Sequence, residues 1–196
     1  EEKWIREMLE ETSLYFILML NPDGAERVQR RTVQNIDMNR DAKVLATPEA
    51  RILRSVQQKL KPQFGFNLHD QEPATVGETN EVAAISLLAP ALDTKKSAPM
   101  VRTRAMRVAA LIARVLSQFI PKNIGCYPDD YEPRAFGDNF QSWGTSTVLI
   151  ESGHAMSDPE KDFIRRLNFV GILAALRCIG NGSYQDAELD LYSGLG

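Results

Sequence analysis

Apolar and polar positions alternate along this chain in blocks that change period several times. Trp4, Ile5, Met8 and Leu9 recur at helical spacing through Lys3–Thr12, an amphipathic stripe that needs a partner surface. Ser13–Leu20 is nearly continuous in apolar residues, the pattern of a strand buried on both faces. Thr47-Pro48-Glu49 opens a helix with a hydroxyl cap, a proline in the first turn and an acid. Ile52, Leu53, Val56 and Leu60 line one face of that helix until Pro62 stops it. Phe64–Leu68 reads as a short strand whose end presents His69. From Asp70 to Pro99 the prolines and Gly77 predict a long loop around one short strand at Val82–Leu88.

The second half repeats the alternation. Met100–Ile120 predicts a helix with Val101, Met106, Ala109, Ile112, Ala113 and Leu116 on its apolar face, ended by Pro121. Ile124–Trp143 is rich in Pro, Gly, Asp and aromatics and reads as an ordered loop. Thr145–Ile150 is a β-branched strand that delivers Glu151. Ser157-Asp158-Pro159-Glu160 opens a last helix that runs to about Ile179 on Phe163, Leu167, Val170, Leu173 and Leu176. Gly180–Gly196 shows no period and is expected to be loosely held. Strands alternating with helices predict an α/β fold with a central mixed β-sheet flanked by helices. In such folds ligands gather at the C-terminal ends of the strands, where His69 and Glu151 fall.

Composition narrows the function classes. With 196 residues, 43% hydrophobic and 25% charged, the chain has the makeup of one globular domain. A net charge of −3 gives no reason to expect nucleic acid or an anionic membrane surface as partner. No apolar run approaches the roughly 20 residues of a membrane-spanning helix. Of the two cysteines, Cys178 lies on an apolar helix face as a small buried residue and Cys126 lies in a turn. A Cys126–Cys178 bridge stays open as an alternative.

Candidate chemistry concentrates in four segments. Asn21-Pro22-Asp23-Gly24 is a turn closing the first apolar run, with Asp23 and Gly24 read as structural. Arg27, Arg30 and Arg31 follow it, and Ile36-Asp37-Met38 leads into Asn39-Arg40. Planar guanidiniums beside an amide form a donor fork suited to a carboxylate or a developing oxyanion. Leu68-His69-Asp70 and Ile150-Glu151-Ser152-Gly153 close two further apolar runs. Each has a plainer reading: a hydrogen-bonded structural histidine, a solvated strand-end carboxylate, a solvated basic face, and a surface ion pair of Arg40 with Asp37 or Asp41.

In this order and spacing the four segments resemble the zinc carboxypeptidase family, whose members carry an Asn-Pro-Asp-Gly turn, a basic loop and an Asp-x-Asn-Arg segment. The resemblance runs from Ser13 to Ile179 and implies a three-layer α/β sandwich. It implies Zn²⁺ as cofactor, with His69 as a metal ligand. It further implies Glu151 as the base and acid that moves the proton of the attacking water, and Arg30 as the group that holds the oxyanion, with Arg27 and Arg31 as competing assignments. Asn39 and Arg40 would grip the terminal carboxylate of the substrate. The family places a tyrosine ahead of its catalytic glutamate to close over substrate. Tyr131 is the candidate, with Tyr127 as the alternative. The side-chain pocket would draw on Phe136–Trp143. Asp70 is either an outer partner of the metal site or a solvated turn residue, and His154 is expected at the surface.

The implied activity is hydrolysis of a C-terminal residue from a peptide. An N-acyl amino acid deacylase of related fold and a non-catalytic carboxylate-binding domain are the alternatives. The implied partner is therefore a peptide or a small amino-acid-derived substrate, with oligomeric state open, and the resemblance leans to a periplasmic or secreted protein. The family's first two metal ligands lie in a His-x-x-Glu motif upstream of the turn, and no histidine precedes Asn21 here. Residues 1–196 are thus expected to form a single, N-terminally incomplete domain that binds zinc weakly or not at all. The start at Glu1-Glu2 is expected to fall inside a helix.

Overall fold

A computed structural model describes residues 3–195. The expectations for Glu1, Glu2 and Gly196 lie outside the described residues. The Thr47 hydroxyl accepts the Ala50 N–H at 3.2 Å with Pro48 in the first turn, and this starts α3 (Pro48–Leu60). The same hydroxyl donates to the Asp41 carboxylate at 2.9 Å. Asp41 also accepts the N–H groups of Ala46 and Thr47. Burial pushes the Asp41 carboxyl up, but those hydrogen bonds and the Arg51 charge outweigh it and hold it below the usual carboxylate range. Lys61 ends α3 in the left-handed conformation, φ 44°, one residue before Pro62.

Four strands form one mixed sheet in the order β1 (Phe64–Asp70), β4 (Ser146–Ser152), β2 (Ile85–Leu88), β3 (Ile124–Cys126). β1 runs parallel to β4, β2 antiparallel to β4, and β2 parallel to β3. The fold is therefore α/β, a mixed four-stranded sheet with flanking helices. Successive side chains of a strand point to opposite faces, and β4 shows this directly. Val148 and Ile150 join Ile85, Leu87 and Ile124 in the main core against α4 (Met100–Leu116) and α6 (Asp162–Gly180). On the other face Thr147 exchanges hydrogen bonds with Gln141 of α5 (Phe136–Ser142). A smaller cluster of Ala42, Ala50 and Phe136 packs with Trp143 and Phe140. Each of the fully buried residues Ile85, Leu87, Ile112 and Ile150 stabilises the fold by roughly 1.5–3 kcal/mol.

Several expectations are corrected by this fold. Ser13–Leu20 is not a buried strand: no strand among the described residues pairs with it. Its Tyr15, Phe16 and Leu18 are 64%, 74% and 92% exposed. An apolar run becomes a buried strand only where two neighbours accept its main-chain groups, and the described sheet is assembled without it. The 124–143 stretch holds β3 and α5 rather than a loop throughout. α6 begins at Asp162, after Ser157 and Lys161 both take positive φ, 63° and 54°. Asp158 still caps that helix by accepting the N–H groups of Phe163 and Ile164.

The 180–195 tail is anchored rather than loose. It forms a 3-10 turn at Ser183–Asp186 and α7 (Leu189–Ser193), which packs on α4. The buried Tyr192 hydroxyl accepts the Ala89 N–H at 2.9 Å. α1 (Lys3–Glu11) forms and lies on α6 with Met8 against Gly180, but Ile5 and Leu9 of its expected stripe stay 37% and 52% exposed. Both cysteines are free, so the Cys126–Cys178 bridge is not formed. Cys178 is half-buried rather than fully buried. No helix of the described residues is long and apolar enough to cross a membrane.

Candidate functional site

His69 and Glu151 are register partners across the parallel β1–β4 pair. Partner positions share a sheet face, so both side chains rise on the α5 side. His69 Nδ1 lies 4.0 Å from Glu151 Oε1, beyond direct hydrogen bonding. Ser86, the partner of Glu151 on β2, extends the same row and is buried. Nothing in the apolar run around Ser86 marks it, because cross-strand register is invisible in a single strand's pattern.

Glu151 is only 4% exposed. Burial pushes its carboxyl up to about 7, the Asp70 charge adds to the rise, and Arg30 opposes it. His69 moves the other way. Burial lowers its pKa and the charges of Arg30 and Arg40 lower it further, so the imidazole is neutral near pH 7. The chemistry of this row is that of a carboxyl group poised between protonation states beside a neutral imidazole.

The ends of both strands are clamped by Lys161, just before α6, and by Asn168 within it. Lys161 Nζ donates to the Asp70 carboxylate and, at 3.1 Å, to the Ser152 carbonyl. Asn168 Nδ2 donates to Ser152 Oγ at 3.0 Å. Asp70 therefore faces away from His69 and pairs with a lysine, consistent with strand alternation. Gly153 follows because a Cβ there would lie 2.0 Å from the Ala83 carbonyl oxygen. Its N–H donates to the Ala84 carbonyl and the His154 N–H to that of Ala83. His154 is half-buried rather than at the surface, and its Nδ1 is buried with no partner.

The arginine fork comes from the loop between α2 (Pro22–Glu26) and α3. Asn21 Oδ1 caps α2 by accepting the Gly24 N–H at 3.1 Å, so the Asn-Pro-Asp-Gly stretch is structural. Arg30 Nε donates to Asp37 Oδ2 at 2.8 Å, and Asp37 Oδ1 accepts the Asn39 N–H. Arg31 instead donates to the Asn35 carbonyl within its own turn. Among Arg27, Arg30 and Arg31, Arg30 is the one whose charge acts on both His69 and Glu151.

Asn39 and Arg40 sit on a 3-10 turn, Met38–Arg40. Asn39 Oδ1 accepts the Phe136 N–H, the first of α5, at 3.0 Å. That bond ties the turn to the helix. Arg40 pairs with neither Asp37 nor Asp41. Its Nε lies 3.3 Å from Glu132 Oε2, and its Nη1 donates to the Asn39 carbonyl. Glu132 is also gripped by both arms of Arg134. The Arg134 hydrogen bond and charge, aided by Arg40, bring the Glu132 carboxyl down to about 2 despite its partial burial. Tyr131 is half-buried in the loop just ahead of Glu132, and Tyr127 donates its N–H to Leu87 at the end of β2. Glu132 is the site's unforeseen member: a fixed carboxylate already resting on Arg40.

The residues present fit zinc poorly. A hydrolytic zinc takes three protein ligands and a water. Among the described residues no group of three or more His, Cys, Asp or Glu is arranged to hold a metal ion. His69 offers one imidazole and the described residues bring no second or third ligand to it.

Comparison with known proteins gives a distant relationship to a carboxypeptidase. The chain is 30% identical over 69 residues to Carboxypeptidase 2 of Trichophyton rubrum. That match covers 35% of this chain and 13% of that protein's length. No family model matches the chain, and no solved structure does.

Proposed function

We propose that this chain carries a carboxypeptidase-like hydrolase site that takes a peptide, or an acylated amino acid, by its free carboxylate. The observation that carries the reading is buried Glu151, its carboxyl at about 7, beside neutral His69 in the field of Arg30 and Arg40. A group with that pKa accepts and returns a proton efficiently near neutral pH. Glu151 takes the proton of the attacking water as its oxygen bonds to the amide carbon. It then gives that proton to the nitrogen as the C–N bond breaks. Arg30 faces the negative charge that develops on the carbonyl oxygen. Arg40 receives the substrate carboxylate in exchange for Glu132, and Asn39 holds Arg40's turn against α5. Tyr131, next to Glu132, closes over the bound end.

His69 as a metal ligand belongs to the same proposal, but zinc there requires ligands that the described residues do not bring together. No step above is routed through the metal. A second reading is a domain that binds carboxylates without turnover, favoured by the Glu132 carboxylate that already rests on Arg40. Calorimetry with an N-acetylated dipeptide acid and its C-terminal amide tests the shared premise. The acid binds, the amide binds at least about tenfold more weakly, and Arg40→Gln removes the difference. Equal affinity for acid and amide defeats both readings. A turnover panel of peptide acids and N-acyl amino acids, run with and without added zinc, then separates peptidase, deacylase and pure binder.

A further inference from the structure

A groove of about 500 Å³ lies on the helical face of the sheet, opposite the row of His69 and Glu151. Leu111 and Val115 of α4 and Val170 and Leu173 of α6 form its floor, and Trp4 of α1 closes one side. These positions recur at three- and four-residue spacing, so each helix turns one continuous stripe into the groove. Leu111 is buried and the other three are half-buried, which leaves apolar surface open to solvent. The volume lies within the roughly 300–1,000 Å³ of ligand pockets.

The charge in this groove is one-sided. Arg114 and Arg177 both line it, both are exposed, and no carboxylate among the described residues lines it. Neither guanidinium has an ion-pair partner among the described residues. Arg177 is instead held over the Trp4 ring at 5.1 Å, which fixes it at the edge of the apolar floor. A simple anion would satisfy the guanidiniums and leave the floor wet. A neutral lipid would cover the floor and leave two cations without counter-charge.

We propose that the groove binds an amphiphilic carboxylate of the fatty-acid class, its tail along Leu111, Val115, Val170 and Leu173 and its head against Arg114 and Arg177. This site is independent of the hydrolase reading and stands or falls separately from it.

Calorimetric titration of the 196-residue chain with dodecanoate below its micelle concentration tests the proposal. Saturable one-to-one binding is expected, with butanoate and a neutral dodecyl ether of glycol each at least about tenfold weaker. The double variant Arg114→Gln, Arg177→Gln should lose about tenfold in affinity, and loss of the Arg177–Trp4 contact should lower the melting temperature by only about 2–4 °C. Cys178 also lines the groove and gives a readout free of arginine variants. In a Cys126→Ser background, dodecanoate should slow alkylation of Cys178 several-fold. Absence of saturation, equal affinity for the neutral amphiphile, or Cys178 alkylation unaffected by dodecanoate would overturn the proposal.

Discussion

Replacing Glu151 with glutamine keeps the shape of a protonated carboxyl and removes its titration. The Glu151 carboxyl rises from 4.5 to about 7 in the folded protein, chiefly through burial. At about 1.36 kcal/mol per unit, that shift corresponds to roughly 3 kcal/mol. The sign follows from which state holds the proton more tightly. A raised folded pKa means the contribution is fully present below about pH 4.5 and is lost as pH rises through 7. Urea unfolding of the unmodified chain should therefore show roughly 2.5 kcal/mol more loss between pH 5 and pH 8 than Glu151→Gln shows over the same range. His69, with a lowered pKa, contributes in the opposite direction, but it is present in both proteins and drops out of the comparison to first order. Identical pH dependence in the two proteins would refute the claim that burial raises the Glu151 carboxyl toward neutral pH.

Other contacts make equally specific demands. Gly153→Ala places a methyl 2.0 Å from the Ala83 carbonyl oxygen and should cost at least about 3 kcal/mol by denaturant unfolding. Tyr192→Phe leaves the buried Ala89 N–H without its acceptor and should cost about 1–3 kcal/mol, with slowed protection of that amide lost in hydrogen exchange. Glu132→Gln removes the carboxylate that rests on Arg40. The pair is partly exposed, 37% and 26%, so its strength is about 1 kcal/mol, and a peptide acid should bind about fivefold more tightly to the variant.

Much of the fold was legible in local pattern: periodicity marks α4 and strands β1 and β4, and the Thr47 cap and Pro62 bound α3, although α3 buries Ala50 and Gln57 while Ile52 of its expected apolar face is 57% exposed. The order of the strands was not, since pairing depends on partners far away in sequence. Ser13–Leu20 carries a strand's composition with no neighbour among the described residues to accept it. The tail misled in the opposite sense: its glycines hide Tyr192, whose hydroxyl reaches Ala89. Motif spacing nominated His69, Glu151, Arg30, Asn39 and Arg40. What they touch could not be read from it. The Asn39–Phe136 bond spans 97 positions, and the Glu132 carboxylate on Arg40 is likewise a long-range contact. Lys161 and Asn168, which clamp the strand ends, carry no motif at all.

Nuclear magnetic resonance of the His69 ring and the Glu151 carboxyl carbon during titration with an N-acetylated dipeptide acid probes the proposed site most directly. Both resonances should move together and saturate, the C-terminal amide should leave them in place, and Arg40→Gln should abolish the response. Resonances that stay still with the acid, or move equally with the amide, would contradict a shared carboxylate-directed site.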